Sequence, residues 1–244
     1  VPNYAYLRAT ENQSNCIMNF DLIVIGSGPG GYVAAIRAAQ LGMKTAVIER
    51  SELGGVCLNW GCIPTKALLK SAQVYEYLLH AQDYGIKATG VEADFGAMVK
   101  RSRGVADAMS KGVQFLMKKN KVEVIAGNGK VKPGKKVEVT AADGSVTTYE
   151  AKHIVLATGA RSRELPNLKQ DGKKVIGYRE AMVLADQPKS LVVVGSGAIG
   201  VEFAYFYNSI GTKVTIVEYL PNIVPLEDED VSKQLARSFK KSGI

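Results

Sequence analysis

Residues 22–31 read Leu22-Ile23-Val24-Ile25-Gly26-Ser27-Gly28-Pro29-Gly30-Gly31. Four consecutive apolar residues suit a strand buried on both faces, as a parallel sheet requires. The glycines follow at once in the spacing G-x-G-x-x-G. A small-residue stretch comes next (Tyr32, Val33, Ala34, Ala35, Ile36, Ala38, Ala39) and predicts a helix. Lys44-Thr45-Ala46-Val47-Ile48 then reads as a second strand, ending in Glu49. Gly26 permits the tight turn, Gly28 lets backbone amides approach a pyrophosphate, and Gly31 lets helix and strand pack closely. The phosphates would sit at the helix N-terminus, and Glu49, 23 residues after Gly26, would accept from a ribose diol. The pattern predicts a dinucleotide-binding βαβ unit. The competing possibility is a glycine turn in an α/β sheet that binds nothing.

The same pattern recurs. Leu191-Val192-Val193-Val194 reads as a strand, followed by Gly195-Ser196-Gly197-Ala198-Ile199-Gly200, a helix over 201–210, Gly211 as its cap, and the strand Lys213-Val214-Thr215-Ile216-Val217 ending in Glu218. The interval from Gly195 to Glu218 is again 23. Glu218 would accept from a free 2′-hydroxyl and repel a 2′-phosphate, and no Arg follows it closely, so NAD is favoured over NADP. Each unit has its own glycines and acid, which suits one dinucleotide each. Between them, residues 152–160 read as another buried strand, returning the chain to the first sheet before a second domain opens near Pro188. Residues 94–119 predict a long helix. Residues 122–150 predict short strands, with Ala142-Asp143-Gly144 as a hairpin turn.

The chain has 244 residues, 46% of them hydrophobic and 22% charged, which is ordinary globular composition. No apolar run approaches the roughly 18 residues of a membrane span. The net charge of +8 is concentrated: residues 100–136 hold eleven Lys/Arg against two acids. Such a run can serve nucleic acid. A single aromatic residue, Phe115, lies among these charges, where a stacking platform would require several, so a solvated helix face and a lysine-rich hairpin are the expectation. Residues 1–17 lack Met, helical period and a signal peptide's apolar core; Met18 reads as the natural start and the preceding residues, Cys16 among them, as a non-native or disordered extension. At the other end, acids at 227–230 and Lys240-Lys241-Ser242-Gly243 frame a helix, and Ile244 reads as the start of another strand.

The first unit is followed by Gly54-Gly55-Val56-Cys57-Leu58-Asn59-Trp60-Gly61-Cys62-Ile63-Pro64-Thr65-Lys66. A zinc site would need four ligands, and only His80 and His153 could join the two cysteines, neither in a ligand-spaced cluster. A structural disulfide across so short a loop would add little stability, and three cysteines in the chain suit a reducing compartment. A redox-active pair is the third possibility. Positions i and i+5 of a regular helix have Cα atoms about 8.6 Å apart, whereas a disulfide needs less than roughly 7 Å. The pair can therefore bond only if the helix is distorted between them. Pro64 fits a first helical turn, which would place Cys62 at a helix N-terminus with Lys66 one turn on, both favouring a thiolate at Cys62. Cys57 is then the sulfur freer to exchange.

Placed between two dinucleotide units, this run resembles the flavin-dependent pyridine nucleotide-disulfide oxidoreductases, and within them the branch that oxidises dihydrolipoamide. The likeness covers Met18 to Ile244, roughly the N-terminal half of that family's chain. It implies an α/β protein of two Rossmann-like FAD/NAD(P)-binding domains, of the three-layer ββα type, the second truncated. Residues 18–187 would form the FAD-binding domain with the redox disulfide, and 188–244 the start of the NAD-binding domain. FAD would lie against Gly26, Ser27, Gly28, Pro29, Gly30, Gly31, Glu49, Arg50, Gly55, Val56, Lys66, Gly129, Thr158 and Gly159. NAD would lie against Gly195, Gly197, Ile199, Gly200 and Glu218.

The resemblance further implies that Cys62 contacts the flavin, Cys57 exchanges with the substrate, and Lys66 pairs with Glu202 near flavin N5. Leu58, Ile63 and Ala198 favour the lipoamide branch. Trp60 and Thr65 depart from the family's commonest Val and Ser, and both are taken as packing variants. The implied partners are the lipoyl domain and core acyltransferase of a 2-oxoacid dehydrogenase complex, and a second copy of the full-length chain, with no nucleic acid, membrane or metal. The implied setting is the cytoplasm, or the mitochondrial matrix or plastid of a eukaryote. The family's catalytic His–Glu pair does not occur in these residues, and neither His80 nor His153 is placed to substitute. The rival expectations are a glutathione or mercuric reductase and a non-catalytic nucleotide-binding fragment.

Overall fold

The computed structural model describes residues 19–244. The proposed start at Met18, the 1–17 extension and Cys16 lie outside the described residues. Two compact units divide the chain. One comprises the segment through Ser51 with Leu116–Thr158; the other comprises Glu52–Phe115 with Gly159–Ile244.

The first unit is built on a sheet ordered β3-β2-β1-β6-β5-β4. Its strands are β1 (Asn19–Ile25), β2 (Thr45–Glu49), β3 (Glu123–Ala126), β4 (Asn128–Lys132), β5 (Lys136–Thr140) and β6 (Val146–Leu156). The pairs β1–β2, β2–β3 and β1–β6 are parallel, and β4–β5 and β5–β6 are antiparallel. The helix α1 (Pro29–Gln40) connects β1 to β2 and packs over both. Proline at its start suits a first turn whose N–H groups have no partner. Residues 22–25 are buried throughout, as expected. Their core includes Phe20, Ile23, Ile25, Ile48, Val137 and Val139. The hairpin turn forms where expected, with the Asp143 carboxylate accepting from the Ser145 N–H at 2.9 Å.

β6 departs from expectation. Residues 152–160 read as a buried strand, yet β6 ends at Leu156, which is 67% exposed, and His153 is exposed as well. Among the described residues of its unit, α1 packs on β1 and β2, and no helix makes a comparable contact with β6. Apolar composition set the strand's type, but the covering layer sets its burial.

The second unit holds α2 (Gly55–Asn59), α3 (Cys62–Leu79), the greater part of α4 (Phe95–Lys119), α5 (Tyr178–Ala181), β7 (Ser190–Val194), α6 (Ala198–Ser209), β8 (Lys213–Val217) and α7 (Glu229–Lys241). β7 and β8 pair in parallel with Val192 opposite Thr215, and α6 packs on both strands and on α3. An aromatic cluster of Phe95, Phe203, Phe206 and Tyr207 fills the core with Leu68 and Met182. α7 is capped at both ends. The Asp228 carboxylate accepts from the Asp230 N–H at 2.9 Å. Gly243 (φ +83) ends the helix, with N–H bonds from Gly243 to the Lys240 carbonyl and from Ile244 to the Phe239 carbonyl. Ile244, the last residue given, takes part in this helix cap.

Candidate functional site

The two glycine turns have nearly the same construction. Gly26 has φ +99, and a Cβ there would lie 2.2 Å from the Ala157 carbonyl oxygen. A Cβ on Gly31 would lie 1.9 Å from the Gly26 carbonyl oxygen, whereas Gly28 and Gly30 face open space. In the second unit Gly195 has φ +94, and a Cβ on Gly200 would meet the Gly195 oxygen at 2.3 Å. The third glycine of each motif thus lets helix and turn touch, and the second leaves an unobstructed approach. Gly28 caps α1 and Gly197 caps α6, and no side chain caps either helix. The first-turn N–H groups are left to an anionic ligand.

Each acid is held by the serine of its own glycine turn. Glu49 Oε2 accepts from the Ser27 N–H at 2.9 Å and the Ser27 hydroxyl at 2.6 Å, and its Oε1 accepts from the Arg50 and Ser51 N–H groups. Glu218 Oε2 accepts from the Ser196 N–H at 2.8 Å and hydroxyl at 2.6 Å, and its Oε1 from the Leu220 N–H. Burial acts to raise the Glu49 pKa, but the donors from Ser27, Ser51 and Arg50 prevail and hold it below the usual carboxylate range. The Leu220 N–H, with both Ser196 donors, holds Glu218 down at about 2. Both acids therefore stay ionised. Ser196 was not among the expected contacts. The repeated serine, 22 residues ahead of each acid, was the available signal.

The cysteine segment shows how the helix is interrupted. Gly54 (φ +96) and Gly55 (φ +60) turn the chain into α2, which carries Cys57. Trp60 and Gly61 leave helical geometry, and α3 then starts at Cys62. Pro64 and Thr65 are buried in its first turn. The break between α2 and α3 is the distortion the spacing demanded, and Cys57 and Cys62 interact electrostatically across it. Both are free thiols; Cys57 is half-buried and Cys62 exposed. Burial, with the thiol contact and charge of Cys62, pushes Cys57 up to about 11, against the pull of Lys66. Lys66 forms an ion pair with Glu202 of α6, as the resemblance implied.

The other expected contacts are dispersed. Gly129 lies within β4, where a Cβ would press on Ile25 Cγ2 at 3.2 Å and Ile48 Cγ2 at 3.3 Å, so packing gives it a reason of its own. Thr158 and Gly159 (φ +70) follow β6 in an exposed irregular segment. Ile199, Arg50 and Val56 are exposed, and Pro29 opens α1. One cluster had no counterpart in the sequence reading. The guanidinium of Arg103 lies 4.1 Å, and that of Arg179 5.2 Å, from the Trp60 ring centroid. Trp60 packs against these two guanidiniums, and nothing in local periodicity links positions 60, 103 and 179.

Residues 20–244 match the family described as pyridine nucleotide-disulphide oxidoreductase. The chain is 54% identical over 225 residues to a dihydrolipoyl dehydrogenase of Chlorobaculum tepidum, covering 92% of this chain and 48% of that protein. It is 43% identical over 234 residues to the dihydrolipoyl dehydrogenase of Bacillus subtilis, covering 92% and 49%. The crystal structure of LpdA from Mycobacterium tuberculosis is similar with a TM-score of 0.84 at 30% identity, covering 93% of this chain and 50% of that one. The chain spans about half the length of the curated relatives it matches.

Proposed function

The chain belongs to the pyridine nucleotide-disulphide oxidoreductase family, and from that premise we propose that it is part of an FAD-dependent dihydrolipoyl dehydrogenase that reduces NAD. The observation that carries the reading is the α2–α3 break, across which the free thiols of Cys57 and Cys62 interact, with the Lys66–Glu202 pair one turn on.

The chemistry follows from these residues. A dihydrolipoamide thiolate attacks Cys57 Sγ of the oxidised pair, and Cys62 leaves as the thiolate. The second substrate thiol then attacks the mixed disulfide, releasing lipoamide and leaving Cys57 and Cys62 reduced. Two electrons have passed to the cysteine pair; the proton of the second substrate thiol goes to Cys57, and that of the first was released when the attacking thiolate formed. At neutral pH Cys57 holds its proton, because its pKa lies near 11. Cys62, at the start of α3 with Lys66 one turn on, is the better placed to stabilise negative charge. FAD, when bound, supplies a two-electron acceptor for the dithiol and a hydride donor to NAD.

The first unit fits a dinucleotide. Gly28 leaves the uncapped amides of α1 open, and Ser27 fixes an ionised Glu49 beside them. The second fits equally, with Gly197, Ser196 and Glu218. The reading assigns an FAD-binding domain to residues 18–187 and the start of an NAD-binding domain to 188–244, whereas the compact units group Glu52–Phe115 with Gly159–Ile244. The reading extends to the lipoyl domain and core acyltransferase of a 2-oxoacid dehydrogenase complex as partners, and to a homodimer of the full-length protein. It also extends to a reducing compartment: bacterial cytoplasm, mitochondrial matrix or plastid.

Anaerobic addition of one equivalent of dihydrolipoamide to the FAD-loaded full-length protein tests the reading. A long-wavelength thiolate–flavin absorbance is expected, lost in Cys62→Ser. Its absence from the unsubstituted protein, or its survival in Cys62→Ser, overturns the assignment.

A further inference from the structure

We propose that Arg103 is a positioning residue for the redox pair, acting through Trp60 and the Asn59 carbonyl to hold the α2–α3 break in the shape that brings the two sulfurs together. The proposal rests on the reading of Cys57 and Cys62 as a redox couple.

The break consists of two residues. Trp60 (φ −139, ψ 15) and Gly61 (φ −140, ψ −119) both leave the helical region. Gly61 sits hard against the turn that bears Cys57: a Cβ there would lie 3.0 Å from the Val56 oxygen and 3.3 Å from the Cys57 Cα. Any movement of the break is therefore passed directly to Cys57. Helix ends leave carbonyls without intrahelical partners, and Asn59 ends α2. Its carbonyl accepts from Arg103 Nη1 at 2.6 Å. The same guanidinium lies over the Trp60 ring and approaches Met182 Sδ at 3.5 Å.

The grip has further points. The buried Asn59 donates its Nδ2 to the Leu53 and Gly55 carbonyls, each at 2.9 Å. Ser110, seven residues and two turns beyond Arg103 on α4, donates to the Leu53 carbonyl at 3.0 Å. Trp60 Nε1 donates to Glu52 Oε1 at 3.4 Å. α4 thus holds the cysteine-bearing segment at both ends, through Ser110 before α2 and Arg103 after it. Arg103 is half-buried and is the member of this set that contacts both residues flanking the start of the break. A planar guanidinium can stack and donate at once; a lysine ammonium cannot reproduce both contacts.

Holding the break raises the effective concentration of one thiol against the other, and so favours the disulfide. The measurement is the equilibrium of the protein disulfide with two glutathione thiols, giving the protein dithiol and glutathione disulfide. It is read on the FAD-loaded full-length protein by acid quench and mass-spectrometric thiol counting. Arg103→Ala should move it about tenfold toward the dithiol, ~30 mV for a two-electron couple. Arg103→Lys should move it in the same direction. Trp60→Phe, which keeps a ring, should stay closer to the unsubstituted protein than Trp60→Ala. Combining Arg103→Ala with Trp60→Ala should add little to either alone.

Folded Arg103→Ala protein with an equilibrium within twofold of the unsubstituted protein overturns the proposal. If Arg103→Ala does not fold, an Arg103→Lys equilibrium within twofold does the same. An unsubstituted protein that never forms the Cys57–Cys62 disulfide overturns the redox reading beneath it, a distinguishable result.

Discussion

Gly30 and Gly31 are adjacent in sequence, yet alanine should have opposite effects at the two. A Cβ at Gly31 would sit 1.9 Å from the Gly26 carbonyl oxygen, and real Cβ atoms essentially never approach within 3.0 Å. The obstacle is backbone, so no side chain can rotate away. α1 must retreat by more than an ångström or the β1–α1 turn must open. Overpacking of this kind costs about 1–3 kcal/mol or more. At roughly 2–4 °C per kcal/mol for a chain of this size, Gly31→Ala should lower the melting temperature by about 2–12 °C. The displaced turn should also lose its grip on the dinucleotide. A Cβ at Gly30 meets nothing within 4 Å, and alanine favours helix over glycine by up to ~1 kcal/mol. Gly30→Ala should melt at or a few degrees above the unsubstituted protein. Differential scanning calorimetry with flavin absorbance on the purified variants measures both effects. If Gly31→Ala melts within about 2 °C of the unsubstituted protein and keeps its full flavin complement, the close-packing reasoning is wrong.

Three other outcomes are expected. In the reduced chain, alkylation of Cys57 should keep accelerating with pH from 8 toward about 11, because the thiolate is the nucleophile; peptide mapping that finds a plateau below pH 9 would contradict the raised pKa. Ser196→Ala should let the Glu218 midpoint climb from about 2 toward its ordinary 4.5, as read by carboxyl NMR. The folded pKa of Glu218 lies below the unfolded one, so its contribution to stability is present above about pH 4.5 and fades as pH falls toward 2. The variant's stability deficit should shrink over that window, and a deficit independent of pH would count against the hydroxyl's role. Tyr207→Phe should cost about 1–2 kcal/mol in denaturant unfolding, because the fully buried Tyr207 hydroxyl donates to the Ala181 carbonyl, which would be left without that donor; an unchanged midpoint would refute it.

Local signals made most of the first unit readable. The apolar run 22–25, the glycine spacing and Glu49 are set by short-range requirements: a buried strand, a positive φ at Gly26, and a contact distance at Gly31. The second fingerprint followed by the same logic, and so did the need for a break between Cys57 and Cys62, since helix geometry keeps them apart. Composition failed where burial depends on a covering layer. Val155 and Leu156 are apolar, and the exposed end of β6 shows that apolar residues mark a strand without stating what lies over it.

By itself, then, the sequence determined two βαβ units, their turn glycines and acids, and a cysteine pair that no regular helix could join, because each of these is enforced by neighbours within about two dozen residues. Only the tertiary structure decided how those parts are held. Glu49 and Glu218 are engaged by the serines of their own turns across 22 residues. Lys66 meets Glu202 across 136 residues. Trp60 is covered by guanidiniums from Arg103 and Arg179, positions on two other helices. Such contacts leave no period or spacing in the chain, because they depend on which helix faces pack together, and that is set by the core as a whole.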